Sequence, residues 1–321
     1  MKKKIIAYNR VEKPVLDHLK EKYDVHFFNK ANPIEDPEFL AHLKEAEGII
    51  GLELPVNKQL LDHAPNLKIV SNVSVGYNNL DIKALKNRNI LATNTPDVLN
   101  DTVADVVFGI LLATARRISE LDQFVKNGKW KQEAIGPEHF GVDVHHKKIG
   151  IIGLGNIGKA IAYRAHFGFH MDVLYHTRTP KPDAEETFGA TYCTLPELLK
   201  KSDFVVMMTP LTIETEGMIG VEEFKQMKKS GIFINGSRGK TIIEKDLIQA
   251  LKDKEIAAAG LDVFENEPVE PDNPLLEMKN VVTTPHIGSS TYETELNMSK
   301  LAAENLEAGL NGRKPSNLIW E

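Results

Sequence analysis

Arg238, Glu267 and His286 each stand just beyond a short apolar run. The three stretches are Phe233-Ile234-Asn235-Gly236-Ser237-Arg238-Gly239, Gly260-Leu261-Asp262-Val263-Phe264-Glu265-Asn266-Glu267-Pro268 and Val281-Val282-Thr283-Thr284-Pro285-His286-Ile287-Gly288. A histidine beside a carboxylate moves protons, and an arginine fork holds an anion or polarises a carbonyl. Taken singly, such residues are more often a surface arginine, a solvated glutamate and a satisfied loop histidine. If the runs are parallel strands, all three lie at carboxyl ends, where open α/β sheets bind ligands, and they converge without being sequence neighbours.

A second stretch carries binding rather than proton transfer. Gly153-Leu154-Gly155-Asn156-Ile157-Gly158 follows the apolar run Ile149-Gly150-Ile151-Ile152 and precedes the helical pattern Lys159–His166. Between a strand and a helix, Gly153 permits a tight turn and Gly155 the approach of a pyrophosphate, while Gly158 lets the helix pack close to the strand. The helix N-terminus attracts the anion. The next apolar run ends in Leu174-Tyr175-His176-Thr177-Arg178-Thr179, with no acid between Val173 and Pro182. Sites selective for an unphosphorylated ribose carry an acid near this point, whereas an arginine accommodates a 2′-phosphate. Arg178 between Thr177 and Thr179 therefore predicts NADPH as the preferred cofactor, with NADH second; the alternative is a solvated loop arginine.

The elements needed to place these groups are legible in the apolar pattern. Strands are expected at Lys4–Tyr8, Val25–Phe28, Gly48–Leu52, Leu67–Val73 and Ile90–Ala92, alternating with helices at Lys13–Lys22, Glu38–Glu47, Asn57–Ala64 and Ile82–Asn87. A long helix over Thr102–Lys126, with Asp101 as N-cap and a wide apolar stripe, reads as a connector or subunit interface. A second series has strands at Ile149–Gly153, Met171–His176, Phe204–Thr209, Gly231–Asn235, Ala257–Asp262 and Val281–Pro285. Strand–helix alternation implies right-handed crossovers and parallel sheets covered on both faces. The fold class is therefore α/β, two doubly wound domains with a cleft between. The final helix, Tyr292–Leu310, has no strand of its own and is expected to return to the first domain. This gives a first domain of 1–99 plus 288–321 and a second of 100–287.

Composition narrows the classes. A length of 321 residues suits about two domains of ~150 residues. The formal charge of −6 supplies no basic surface for nucleic acid or an anionic membrane. The apolar run after Lys2-Lys3-Lys4 stops at Asn9, too short for a signal segment, and no stretch reaches the ~18 apolar residues of a membrane span. With Cys193 the only cysteine, there is no intrachain disulfide, and a cytoplasmic protein is expected. His145-His146 and Cys193 form no metal pattern, so no metal is expected. Met207-Met208 reads as core, Lys225, Lys228 and Lys229 as the end of a helix, and Trp130 as either a dimer contact or core.

Together the three strand-end motifs and the glycine fingerprint resemble the D-isomer-specific 2-hydroxyacid dehydrogenase family. The resemblance covers essentially the whole chain and extends to Asn72-Val73-Ser74-Val75-Gly76-Tyr77 and Asn94-Thr95-Pro96-Asp97-Val98-Leu99. Within the family, the segments Gly136–His145 and Arg164–Phe169 resemble the bacterial glyoxylate/hydroxypyruvate/2-ketogluconate reductase branch.

The resemblance implies a Rossmann cofactor domain, a flavodoxin-like substrate domain and hydride transfer to a small 2-keto acid. His286 would contact the substrate and protonate its carbonyl oxygen, Glu267 orient the imidazole, and Arg238 bind the substrate carboxylate and polarise the carbonyl, with the amides of Val75 and Gly76 on the same carboxylate. Besides the fingerprint residues and Thr177, Arg178 and Thr179, the cofactor would contact Thr102, Thr209, Pro210, Gly236, Ser237, Arg238, Asp262 and His286, with Asp262 on the nicotinamide carboxamide. A homodimer is implied, joined through Thr102–Arg117 and the loop that follows. Two departures are visible: His176 stands where NAD-selective members carry Asp, and Asn78 where many relatives carry an acid. The rival readings are a dinucleotide-sensing binding protein or corepressor on the same fold, and a reductase of another 2-hydroxy acid, a sugar-derived acid or phosphite. Retention of all three of Arg238, Glu267 and His286 speaks against a sensor.

Overall fold

The computed structural model describes residues 2–29 and 33–320; Met1, 30–32 and Glu321, which the expected first domain includes, lie outside them. The chain divides into two units, one made of Met1–Leu99 with Ser289–Glu321 and the other of Asn100–Gly288. Gly288 goes with the second unit, one residue later than expected, because its N–H is held by the Asp262 carboxylate.

In the first unit β1 (Lys4–Tyr8), α1 (Lys13–Lys22), β2 (Asp24–Phe28), α2 (Pro37–Leu43), β3 (Gly48–Gly51), α3 (Lys58–Asp62), β4 (Ile69–Asn72), α4 (Ile82–Asn87) and β5 (Leu91–Thr93) alternate without exception. The strands form one sheet in the order β2-β1-β3-β4-β5, all pairs parallel. Central strands such as Gly48-Ile49-Ile50-Gly51 are buried along their whole length, as both-face coverage requires. One core joins Ile6, Ile49 and Val70 to Phe39, Leu43, Leu60 and Leu85 of the helices. The C-terminal helix Tyr292–Leu310 packs across β3, β4 and β5 and against α1.

The second unit opens with α5 (Asn100–Ala115) and α6 (Ile118–Lys126). A single helix is expected there; the structure breaks it at Arg117, whose φ is +55°. No glycine relieves that left-handed residue. Its guanidinium instead meets both carboxylate oxygens of Glu120, at 2.8 and 2.9 Å, and also donates to the carbonyl of Glu138. Asp101 is not the N-cap, since α5 already includes Asn100; it lies in the first turn and pairs with Arg164 at 3.0 Å.

The rest of this unit runs β6 (Lys148–Ile152), α7 (Asn156–Tyr163), β7 (Asp172–His176), α8 (Pro182–Phe188), β8 (Thr191–Tyr192), α9 (Leu195–Lys201), β9 (Phe204–Met207), α10 (Val221–Gln226), β10 (Ile232–Asn235), α11 (Glu244–Lys252), β11 (Ala258–Leu261) and β12 (Val281–Thr283). The sheet order is β12-β11-β10-β9-β6-β7-β8, again parallel throughout. β7 and β10 end where the apolar runs end, whereas β6, β9, β11 and β12 stop one or two residues short of theirs, where the chain leaves the sheet to build loops. Met207 is core, whereas Met208 is only half-buried beyond the strand end. Lys225 lies in the last turn of α10, but Lys228 and Lys229 lie past it. Trp130 does not fill its own core: it is 54% exposed.

Candidate active site

Asn235 ends β10 and is fully buried. Its side-chain oxygen accepts from Ser237 N (3.1 Å) and Ser237 Oγ (2.9 Å), and its amide nitrogen donates to the Arg238 carbonyl at 3.1 Å. Thr241 Oγ1 donates to the same carbonyl at 2.7 Å. This buried polar knot fixes the turn that presents the Arg238 side chain. The next residue has no alternative to glycine, since a Cβ at Gly239 would overlap the backbone of Phe264 and Glu265. That close approach brings the loop after β10 against the loop after β11, which carries Glu267.

Glu267 accepts from Phe264 N at 3.0 Å through one oxygen and meets His286 Nδ1 at 2.7 Å through the other. His286 belongs to the loop after β12, where Asp262 does the tethering. Asp262, 2% exposed, accepts from Thr284 Oγ1 at 2.6 Å and from the N–H groups of Ile287 and Gly288 at 2.9 Å each. Hydrogen bonding to Glu267 raises the His286 pKa above its ordinary 6.5, and burial and the Arg238 charge oppose this without prevailing. For Glu267 burial pushes upward. The His286 hydrogen bond, the Phe264 amide and the charges of His286 and Arg238 outweigh it and leave the carboxyl below its ordinary range. The three side chains singled out in the sequence therefore act on one another within one unit, at the ends of β10, β11 and β12. A half-exposed imidazole braced on one nitrogen leaves its other nitrogen to give or take a proton.

The fingerprint lies at the end of β6. Gly153 has φ +100°, and a Cβ there would sit 2.6 Å from the Met208 carbonyl oxygen. Gly158 lies against the Gly153 carbonyl, so helix and turn pack backbone to backbone. On the outer side Gly155 has open space where a Cβ would project, and it gives α7 no side-chain cap. Open room at an uncapped helix N-terminus is what a pyrophosphate needs, so these residues fit a dinucleotide. Leu154 is 1% exposed and belongs to the core.

At the end of β7 the His176 ring is engaged through Nδ1 with the Cys193 carbonyl at 2.9 Å, and Thr177 Oγ1 turns back to the Thr179 carbonyl at 2.7 Å. Arg178 is exposed between them. Glu214, across from it, is held below the ordinary carboxylate range by the Thr212 hydroxyl first and by the Arg178 charge as well. Thr209 and Pro210 follow β9, Gly236 and Ser237 follow β10, Ile157 lies in the first turn of α7, and Thr102 in the first turn of α5. Val75 and Gly76 lie in the first unit, in the loop after β4, both half-buried. Among the described residues no cluster of three His, Cys, Asp or Glu side chains is placed to hold a metal, and no helix is long and apolar enough to cross a membrane.

Sequence reasoning missed Asn235 and Thr284. Their work is hydrogen bonding to backbone and to Asp262, and nothing in spacing signals it.

The family described as "D-isomer specific 2-hydroxyacid dehydrogenase, NAD binding domain" matches residues 108–288. The chain is 48% identical over 319 residues to a glyoxylate/hydroxypyruvate reductase B of Yersinia pestis bv. Antiqua (strain Nepal516), covering 99% of this chain and 98% of that one. Among solved structures it matches a protein of Thermus thermophilus with a TM-score of 0.90 at 36% identity, over 98% of this chain and 99% of that one. It also matches the NADPH-dependent glyoxylate/hydroxypyruvate reductase of Sinorhizobium meliloti, solved with NADP and malonate. There the TM-score is 0.90 at 33% identity, over 100% of this chain and 97% of that one.

Proposed function

Because the chain belongs to the D-isomer-specific 2-hydroxyacid dehydrogenase family, we propose that it reduces glyoxylate and hydroxypyruvate to D-2-hydroxy acids with NADPH in preference to NADH. The observation that carries this is the 2.7 Å contact of His286 with Glu267, in a loop set against the turn that bears Arg238. A dinucleotide sensor has no use for a braced proton donor.

When bound, the reduced nicotinamide supplies a hydride to the carbonyl carbon. The residues of the chain do the rest. Protonated His286, held through Nδ1 by Glu267, gives its Nε2 proton to the carbonyl oxygen, so the product leaves as a neutral hydroxyl. Arg238 meets the substrate carboxylate and draws electron density from the carbonyl, a task for a charge already in place. In the first unit, Val75 and Gly76 offer backbone N–H groups suited to a carboxylate. The fingerprint loop would hold the pyrophosphate and Arg178 the 2′-phosphate, and the remaining cofactor-site residues would line the rest. Asp262 tethers the histidine loop through three hydrogen bonds, and its second oxygen retains capacity for a carboxamide donor.

Purified protein is expected to consume NADPH with glyoxylate and with hydroxypyruvate, followed by loss of nicotinamide absorbance. 2-Ketogluconate belongs in the same screen as the larger candidate. Activity confined to branched or aromatic 2-keto acids would overturn the substrate assignment and leave the family untouched.

The second unit also supports a homodimer, through α6 and the expected loop after it rather than through Thr102–Arg117. The apolar stripe of α5 is used internally, with Val107 over Gly236 and Ile110 over Gly260. The exposed apolar side chains lie further on: Ile118 and Val125 on α6, then Trp130, Ile135, Phe140 and Val142, with Phe140 60% exposed. A run of this kind is unusual on a monomer surface and common where a second copy covers it. Wild type is expected to sediment as a dimer at micromolar concentration, and Ile118→Asp with Phe140→Asp as a monomer. A wild-type monomer would remove the proposal.

A further inference from the structure

We infer that Asn72 and Asn94 are positioning residues that aim the carboxylate-binding amides of the first unit; this rests on the carboxylate reading of Val75 and Gly76 just given. After β4 three consecutive carbonyls are taken by donors. The Ser74 carbonyl accepts from Thr95 N at 3.0 Å, that of Val75 from Asn94 Nδ2 at 2.9 Å, and that of Gly76 from Asn72 Nδ2 at 2.8 Å. These peptide bonds are trans, so each carbonyl points opposite to the N–H of the following residue. Holding the three carbonyls turns the N–H groups of Val75, Gly76 and Tyr77 the other way. None of those three N–H groups donates to an acceptor among the described residues. Successive backbone N–H groups left free in this manner form a concavity for an anion, and Tyr77 adds a third donor to the two expected.

The asparagines are themselves braced, which separates an aiming device from a chance contact. Asn72 is 2% exposed, and its side-chain oxygen accepts from Asn79 Nδ2 at 3.1 Å. Asn79 Nδ2 also donates to the Leu54 carbonyl at 2.9 Å. The Asn72 carboxamide thus has its oxygen fixed on one side and its nitrogen committed to Gly76 on the other. A leucine at either position would fill similar space and donate nothing, freeing a peptide plane to rotate and its N–H to wander. Aspartate would be a poor probe, since its charge would repel the substrate directly.

The test uses the full chain with NADPH, varied glyoxylate, and oxamate as a dead-end carboxylate probe. Asn94→Leu is expected to raise both the glyoxylate KM and the oxamate inhibition constant about tenfold, the scale of one hydrogen bond. NADPH affinity and kcat should stay close to wild type, because neither depends on the loop after β4. Asn72→Leu should act in the same direction; it is the more buried of the two, so thermal melting checks each variant's fold and Asn94→Leu carries the result if Asn72→Leu does not fold. Folded variants with wild-type KM and inhibition constant would overturn the inference, as would kcat and NADPH affinity falling while KM holds. If wild type neither reduces glyoxylate nor is inhibited by oxamate, the carboxylate reading itself fails and takes this inference with it.

Discussion

His286→Ala is expected to lower kcat for glyoxylate reduction by about 100-fold or more, the usual scale for losing a positioned acid. The argument is geometric before it is electrostatic. Among the described residues only one nitrogen of the ring is engaged, at 2.7 Å from Glu267, so the other is available to the substrate oxygen. The Glu267 hydrogen bond raises the His286 pKa above the ordinary value of 6.5. Reduction therefore runs at its full rate below that raised value and is lost as pH rises through it, while oxidation of the hydroxy acid shows the reverse trend. Glu267 is held below its ordinary range, so the pair persists until pH falls through that lowered value. Glu267→Gln removes the charge that supports the imidazolium and should move the alkaline limb of the reduction profile to lower pH. A profile unchanged in Glu267→Gln would remove that residue from its assigned role.

Arg178→Ala is expected to weaken NADPH while leaving NADH nearly as it was, since NADH has no 2′-phosphate to lose. Charge-assisted hydrogen bonds of this kind contribute ~1.5–3 kcal/mol, which is roughly 10- to 150-fold in affinity. The guanidinium is exposed, and the structure gives it a neighbour, Glu214, on which its charge already acts. His176→Asp should go further, favouring the NADH ribose and repelling the NADPH phosphate, with loss of the ring's hydrogen bond to the Cys193 carbonyl. Dissociation constants for both cofactors, measured by nicotinamide fluorescence, check this. Equal weakening of the two by Arg178→Ala would make the arginine an ordinary loop residue.

What the sequence disclosed and what it hid differ in physical kind. Parallel strands buried on both faces are continuous apolar runs, so all but the two-residue β8 were visible, and with them the strand ends where Arg238, Glu267 and His286 stand. Thr191-Tyr192 is too short and too exposed to leave a pattern. The break at Arg117 was hidden because helix breaks are usually read from glycine or proline. Here a left-handed arginine is stabilised by Glu120 and the Glu138 carbonyl, one of them 21 residues away. Asn235, Asn72 and Asn94 escaped for a related reason: a carboxamide that holds a loop by its backbone reveals itself only once the loop is in place.

The grip of Asp262 on the loop after β12 has a consequence for the rate of turnover. Three donors from Thr284, Ile287 and Gly288 converge on one buried carboxylate, so the loop cannot lift at one point without breaking bonds on either side of His286. Its opening is a cooperative local unfolding event rather than a drift of one side chain. A mobile imidazole would have to search for the carbonyl oxygen in each catalytic cycle and lose that orientational entropy each time. Here the loss is taken once, when the chain folds, and every later substrate meets an acid already aligned.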